Sequence, residues 1–166
     1  MDPLFVAGAV VSAAIAGVVA WGRVRAIAPR RVDTWPTTPT LWYGPGVDAI
    51  SVGRALDVWR GLGHVIERVA SPAAGITIVV DPSLGVVNLD GDHTDGLTMV
   101  SALDHRIVRA SIRVATRADA VTIAHEIGHA LGYKHPLFCP TGHLMHPRRP
   151  GWDTRGLENE HEVQAR

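Results

Sequence analysis

"HEIGHALGYKH", His125 to His135, gathers three histidines, a glutamate and a glycine at fixed intervals. On an α-helix, His125 and His129 face the same side about one turn apart, the spacing at which two imidazoles reach one cation. Glu126 lies about 100° around the axis from His125. It is poorly placed to ligate beside both histidines, yet near enough to take a proton from a metal-bound water. Gly132 permits a left-handed turn that ends the helix, because a residue without Cβ takes positive φ cheaply. The chain then turns back, and His135 supplies a third imidazole. Three neutral imidazoles leave one open position on a tetrahedral zinc, which distinguishes a catalytic site from a closed structural one. Unrelated histidines sharing a helix would give this pattern in roughly one such chain in ten thousand.

Thr116 is a candidate N-cap for this helix, with Asp119 favourably placed in its first turn. Upstream, "TLWYG" (Thr40 to Gly44) has strand character. "VDAISVGRALDVWRGLGHVIERV" (Val47 to Val69) spaces Ile50, Leu56, Trp59, Leu62, Ile66 and Val69 at helical intervals and predicts one long amphipathic helix. "GITIVVD" (Gly75 to Asp81), "GVVNLD" (Gly85 to Asp90), "LTMVSAL" (Leu97 to Leu103) and "RIVRASIRVAT" (Arg106 to Thr116) are rich in β-branched residues and bounded by Pro, Gly and Asp. They predict four further strands. A final helix is expected from about Thr154.

The N-terminus differs in composition. "LFVAGAVVSAAIAGVVAW", Leu4 to Trp21, carries no charge. As a helix it would extend about 27 Å, close to a bilayer's hydrocarbon thickness. It predicts a single-pass membrane anchor over residues 1–24. Ala9, Ala13 and Gly17 form a small-residue stripe suited to self-association. A cleaved signal peptide fits less well, since no Lys or Arg precedes the run and the "AIA" at Ala26 to Ala28 is followed by Pro29. A helix buried in an assembly is the other alternative. Arg23, Arg25, Arg30 and Arg31 crowd the far side of the run, which places the domain in the cytoplasm by the positive-inside rule. Residues 25–39, with prolines and threonines and no hydrophobic period, read as an extended linker, leaving 40–166 as the folded domain.

The active-site stretch matches H-E-x-x-H-x-x-G-x-x-H and resembles the zinc signature of the metzincin metallopeptidases. "GHLMHP" (Gly142 to Pro147) is similar to the Met-turn of that family, with Met145 followed two places on by Pro147 as in the matrixin branch. The resemblance spans about Thr40 to Arg166, although only these two motifs are specific. It implies an α+β fold: a five-stranded, mixed, twisted sheet with a long helix, an active-site helix and a short C-terminal helix. It further implies one catalytic zinc held by His125, His129 and His135, with Glu126 as general base and Met145 as the structural floor. The strand Leu97, Thr98, Met99, Val100, Ser101, Ala102 would be the antiparallel edge along which an extended peptide substrate pairs. The family is usually extracytoplasmic, which opposes the arginine asymmetry.

This sequence also departs from the pattern. Residues 1–39 carry no cysteine and so no cysteine-switch motif. "DGDHTDG" (Asp90 to Gly96) is shorter than the matrixin metal loop. Its Asp90, Asp92 and Asp95 offer oxygens of the kind that bind Ca²⁺, but the full loop pattern is missing and a solvated acidic turn is the better reading. Lys plus Arg and Asp plus Glu number 16 each in the 166 residues, so no basic field gathers nucleic acid. Cys139 is the single cysteine, which excludes an intramolecular disulfide; four residues beyond His135, it reads as a buried thiol rather than as a further zinc ligand. His143 and His146, flanking Met145, read as structural or solvated. The sequence predicts a zinc endopeptidase. The alternative is a catalytically silent zinc-binding domain that serves as a membrane- or particle-associated component.

Overall fold

The β-branched runs pair into one sheet, and the helix bearing the histidines packs on its edge. The computed structural model describes residues 31–86, 94–136, 140–148 and 150–157. The elements are β1 (Thr40–Tyr43), α1 (Ala49–Gly61), β2 (Glu67–Arg68), β3 (Ile76–Val80), β4 (Gly96–Leu103), β5 (Arg106–Val114) and α2 (Ala120–Ala130). The sheet order is β2-β1-β3-β5-β4. All neighbours pair in parallel except β4, which runs antiparallel to β5 and forms one edge. Among the described residues the architecture is therefore α+β with a five-stranded mixed sheet and two helices. Asp104 and His105 close the β4–β5 hairpin with φ of 48° and 60°, the two positive values that match the twist of the flanking strands.

Helix α2 packs on β4 and β5 and against α1. Leu41, Ile76, Ile78 and Ile112 from the sheet meet Val52, Trp59, Ile123 and Ile127 from the helices in a core sealed from water. The buried Trp59 indole N–H donates to the Ala124 carbonyl at 2.8 Å, fixing α1 to α2.

Several expectations are corrected. The long helix expected over 47–69 ends at Gly61, where the Leu62 N–H caps the last turn and Gly63 adopts a φ of 84°. Ile66 and Val69 keep the helical interval, but Glu67 and Arg68 pair with Thr40 and Leu41 instead. Among the described residues the fifth strand is β2, and Gly85, the start of the strand expected there, lies in a turn. Asp119, not Thr116, caps α2, accepting the Thr122 N–H at 2.8 Å. Thr154 to Leu157 form a turn where the last helix was expected to start.

Residues 31–35, assigned above to the linker, are extended but docked. Arg31 Nε–H donates to the Leu131 carbonyl at 2.9 Å, Trp35 Nε1–H to Ala130 at 2.8 Å, and the Val32 N–H to Gly132 at 3.1 Å. Carbonyls at a helix C-terminus lack intrahelical partners, and this arm supplies three donors to the end of α2. Thr34 meanwhile exchanges backbone hydrogen bonds with His105 and Ile107 at 3.0 and 2.8 Å.

The N-terminal hydrophobic run with Ala9, Ala13 and Gly17 lies outside the described residues. So do residues 87–90, Asp92, Cys139 and the rest of the segment expected to form a C-terminal helix. Among the described residues, no helix is long and apolar enough to cross a membrane.

Candidate metal centre

Helix α2 presents His125 and His129 one turn apart, and Gly132, at a φ of 96°, ends the helix so that His135 swings back beside them. A Cβ at position 132 would collide with the Asp33 carbonyl of the docked arm, so the close approach demands glycine as well. The three Nε2 atoms lie 3.2, 3.0 and 3.2 Å from one another. That triangle fits ligands about 2.0–2.1 Å from one shared ion.

The partners of the ring nitrogens give a chemical test of the fit. His125 Nδ1–H donates to the Leu144 carbonyl at 2.6 Å, and His129 Nδ1–H donates to the Tyr133 carbonyl at 2.8 Å. With the ring proton on Nδ1, each Nε2 of these neutral rings presents a lone pair. Two lone pairs 3.2 Å apart do not hydrogen-bond to each other, and a cation between them satisfies both. Burial pushes both imidazoles down to about 4, and partial burial together with His146 and Lys134 lowers His135. Neutral imidazole is the form that ligates. The three residues form a group able to hold a metal ion, graded from buried His125 to exposed His135, so the site opens on the His135 side.

Glu126 is buried, 6% exposed, and joins the site from the same helix. Burial raises its carboxyl above the ordinary range, opposed by a hydrogen bond from Thr98 Oγ1 to Oε2 at 2.6 Å.

Met145 is sealed from water beneath α2. A Cβ on Gly128 would lie 2.5 Å from its sulfur and 2.8 Å from Cζ2 of Trp59, so the helix comes this close only because Gly128 has no side chain. Pro147 is exposed at the end of the turn. His143 is buried and structural: its Nδ1 accepts the Met145 N–H at 3.0 Å while Nε2–H donates to the Arg155 carbonyl at 3.0 Å. His146 is half-buried, its Nδ1 accepting the Arg148 N–H at 3.1 Å.

The structure thus brings together His125, His129 and His135, packs Met145 against Gly128 of the same helix, and lays the strand containing Leu97 to Ala102 along the sheet edge beside α2. The inferred Glu126 partner Thr98, the clearance at Gly128 and the orienting carbonyls of Leu144 and Tyr133 were not read from the sequence. Gly128 carried a signal, because an isolated glycine inside a helical pattern points to close packing. Compared with known proteins, the chain matches no family model and no curated protein.

Proposed function

We propose that the chain is a zinc-dependent endopeptidase of the metzincin, matrixin-like type. The observation that carries the reading is the convergence of three Nε2 atoms, two with their lone pairs fixed inward by carbonyls on Nδ1, on a helix that also carries the buried Glu126 next to His125. His125, His129 and His135 would hold the ion. When bound, zinc supplies Lewis-acid polarisation of the scissile carbonyl and a water acidic enough to ionise near neutral pH.

The remaining work belongs to the protein. Glu126, kept basic but poorly solvated, takes the proton from the attacking water and returns it to the departing amine, so no net proton is left on the enzyme. Strand β4 is the edge of the sheet among the described residues, on which an extended peptide adds as a further strand, with Leu97 and Met99 exposed at 39% and 54%. Met145 and Trp59 pack beneath α2 and keep the ligands at fixed spacing. The N-terminal run is proposed as the membrane anchor, with the domain on the cytoplasmic side.

Cleavage of a peptide library by the full chain, with and without a chelator, tests the activity. Glu126→Gln should retain one zinc per chain and lose at least about 10²–10⁴-fold in hydrolysis, because the amide accepts no proton. His129→Ala should lose the metal itself. Parent-like cleavage by Glu126→Gln in a protease-free preparation refutes the mechanism. Zinc binding with no chelator-sensitive cleavage by the parent leaves the silent-module reading.

A further inference from the structure

The carboxylate of Glu126 is held from the sheet edge. Thr98 Oγ1 lies 2.6 Å from Oε2 and 3.1 Å from the backbone carbonyl of Glu126. A hydroxyl has a single proton to give, and the shorter, charge-assisted contact takes it. Gly96 stands two residues earlier on the same face of β4. A Cβ there would come within 2.6 Å of Cγ and 2.7 Å of Oε1, so the carboxylate occupies the space a side chain would fill. The period-two alternation turns Thr98 inward while Leu97 and Met99 on either side point out. One strand therefore carries both the edge of the described sheet and the partner of the buried carboxylate.

We propose that Thr98 is the positioning residue of Glu126: its hydroxyl holds Oε2 while Gly96 leaves room for Oε1, which becomes the oxygen that exchanges the proton. The inference rests on the peptidase reading above. A carboxylate has two equivalent oxygens, and a donor on one of them removes that equivalence. Oε1 then accepts the proton of the attacking water and delivers it to the leaving amine, while Thr98 keeps its own proton throughout. Because Thr98 lies within β4, a peptide that pairs with this edge is aligned against the same strand that orients the base.

Three full-chain variants test this: Thr98→Val, which keeps the shape and deletes the hydroxyl, Thr98→Ser, which keeps the hydroxyl, and Thr98→Val in a Glu126→Met background. With zinc loaded, Thr98→Val should keep its metal content and KM within about 2-fold while kcat falls about 10–100-fold, and Thr98→Ser should stay within about 3-fold of the parent. An unchanged kcat in Thr98→Val, or no rescue by serine, overturns the proposal. The second readout is chemical unfolding of the metal-free protein. Thr98→Val should lower the folding equilibrium constant about 10-fold or more in the parent, as for a hydrogen bond to a charged group, and less than about 2-fold in the Glu126→Met background. Equal losses in the two backgrounds overturn it. Should Thr98→Val fail to fold, Thr98→Ala against Thr98→Ser carries the same comparison. If the zinc-loaded parent cleaves nothing, the peptidase reading falls, and the unfolding cycle still decides whether Thr98 holds the carboxylate.

Discussion

Gly128→Ala sets two effects of known size against each other. Glycine inside a helix is less favourable than alanine by about 0.8–1 kcal/mol, so on helix propensity alone the substitution stabilises. Packing opposes it. The new methyl would sit 2.5 Å from the Met145 sulfur and 2.8 Å from Trp59 Cζ2. These distances fall short of ordinary contact, about 3.5 Å, by roughly 1 and 0.7 Å. The thioether can rotate away. Trp59 cannot, because its ring is fully buried, its N–H is bonded to Ala124, and it stacks on Tyr133 at 5.5 Å. Overpacking of this kind costs about 1–3 kcal/mol, so after the propensity gain the net expectation is a loss of about 0–2 kcal/mol. For a domain of this size that lowers the melting temperature by up to roughly 8 °C. The displaced residues also lead to the ligands: the Tyr133 carbonyl orients His129, and Leu144, next to Met145, orients His125. Zinc affinity, measured by competition with a chromogenic chelator, should weaken about 10-fold, as when an outer partner of a metal ligand is disturbed. A variant that melts a few degrees higher than the parent and binds zinc as tightly would show that the clearance at Gly128 carries no weight.

Met145→Leu should keep stoichiometric zinc and lose under about 1.5 kcal/mol, since the buried side chain serves as an apolar floor and the volume is conserved; metal analysis showing an empty site would make the thioether a ligand after all. The metal-free protein should weaken in acid. Burial holds His64, His125 and His129 near 4 in the fold, whereas the unfolded chain binds their protons from about 6.5 downward. Folded values below unfolded ones mean stability complete above pH 6.5 and lost as pH falls toward 4, by roughly 3 kcal/mol per group at most. The urea midpoint should drop through that window, and a flat midpoint contradicts the burial argument.

What the sequence revealed was local. The spacing of His125 and His129 is written into the helical repeat, and Gly132 and His135 follow within one turn, so the ligand set needed no knowledge of the sheet. Strands β3, β4 and β5 were legible from their β-branched runs, and the edge position of β4 from the family resemblance. Helix α1 was overread, because Ile66 and Val69 continue an apolar interval that says nothing of the two-residue pairing with β1. The Thr98 hydroxyl reaches Glu126 across 28 residues, and no periodicity encodes that contact. The arm at 31–35 was read as linker for the same reason. Its acceptors are carbonyls at the end of α2, which every helix possesses and no side chain announces.

That arm has a consequence in time. Its hydrogen bonds from Arg31 and Trp35 join residues 100 and 95 positions apart. Closing a loop of such length costs about 4 kcal/mol in chain entropy beyond a constant. During synthesis the arm leaves the ribosome long before its acceptors exist, and at about 5–20 residues per second it waits roughly 5–20 s for Ala130, Leu131 and Gly132 to be made. The first described residues of the chain are thus among the last to reach their place. Anything that grips the arm in that interval competes directly with completion of the helix that carries the histidines.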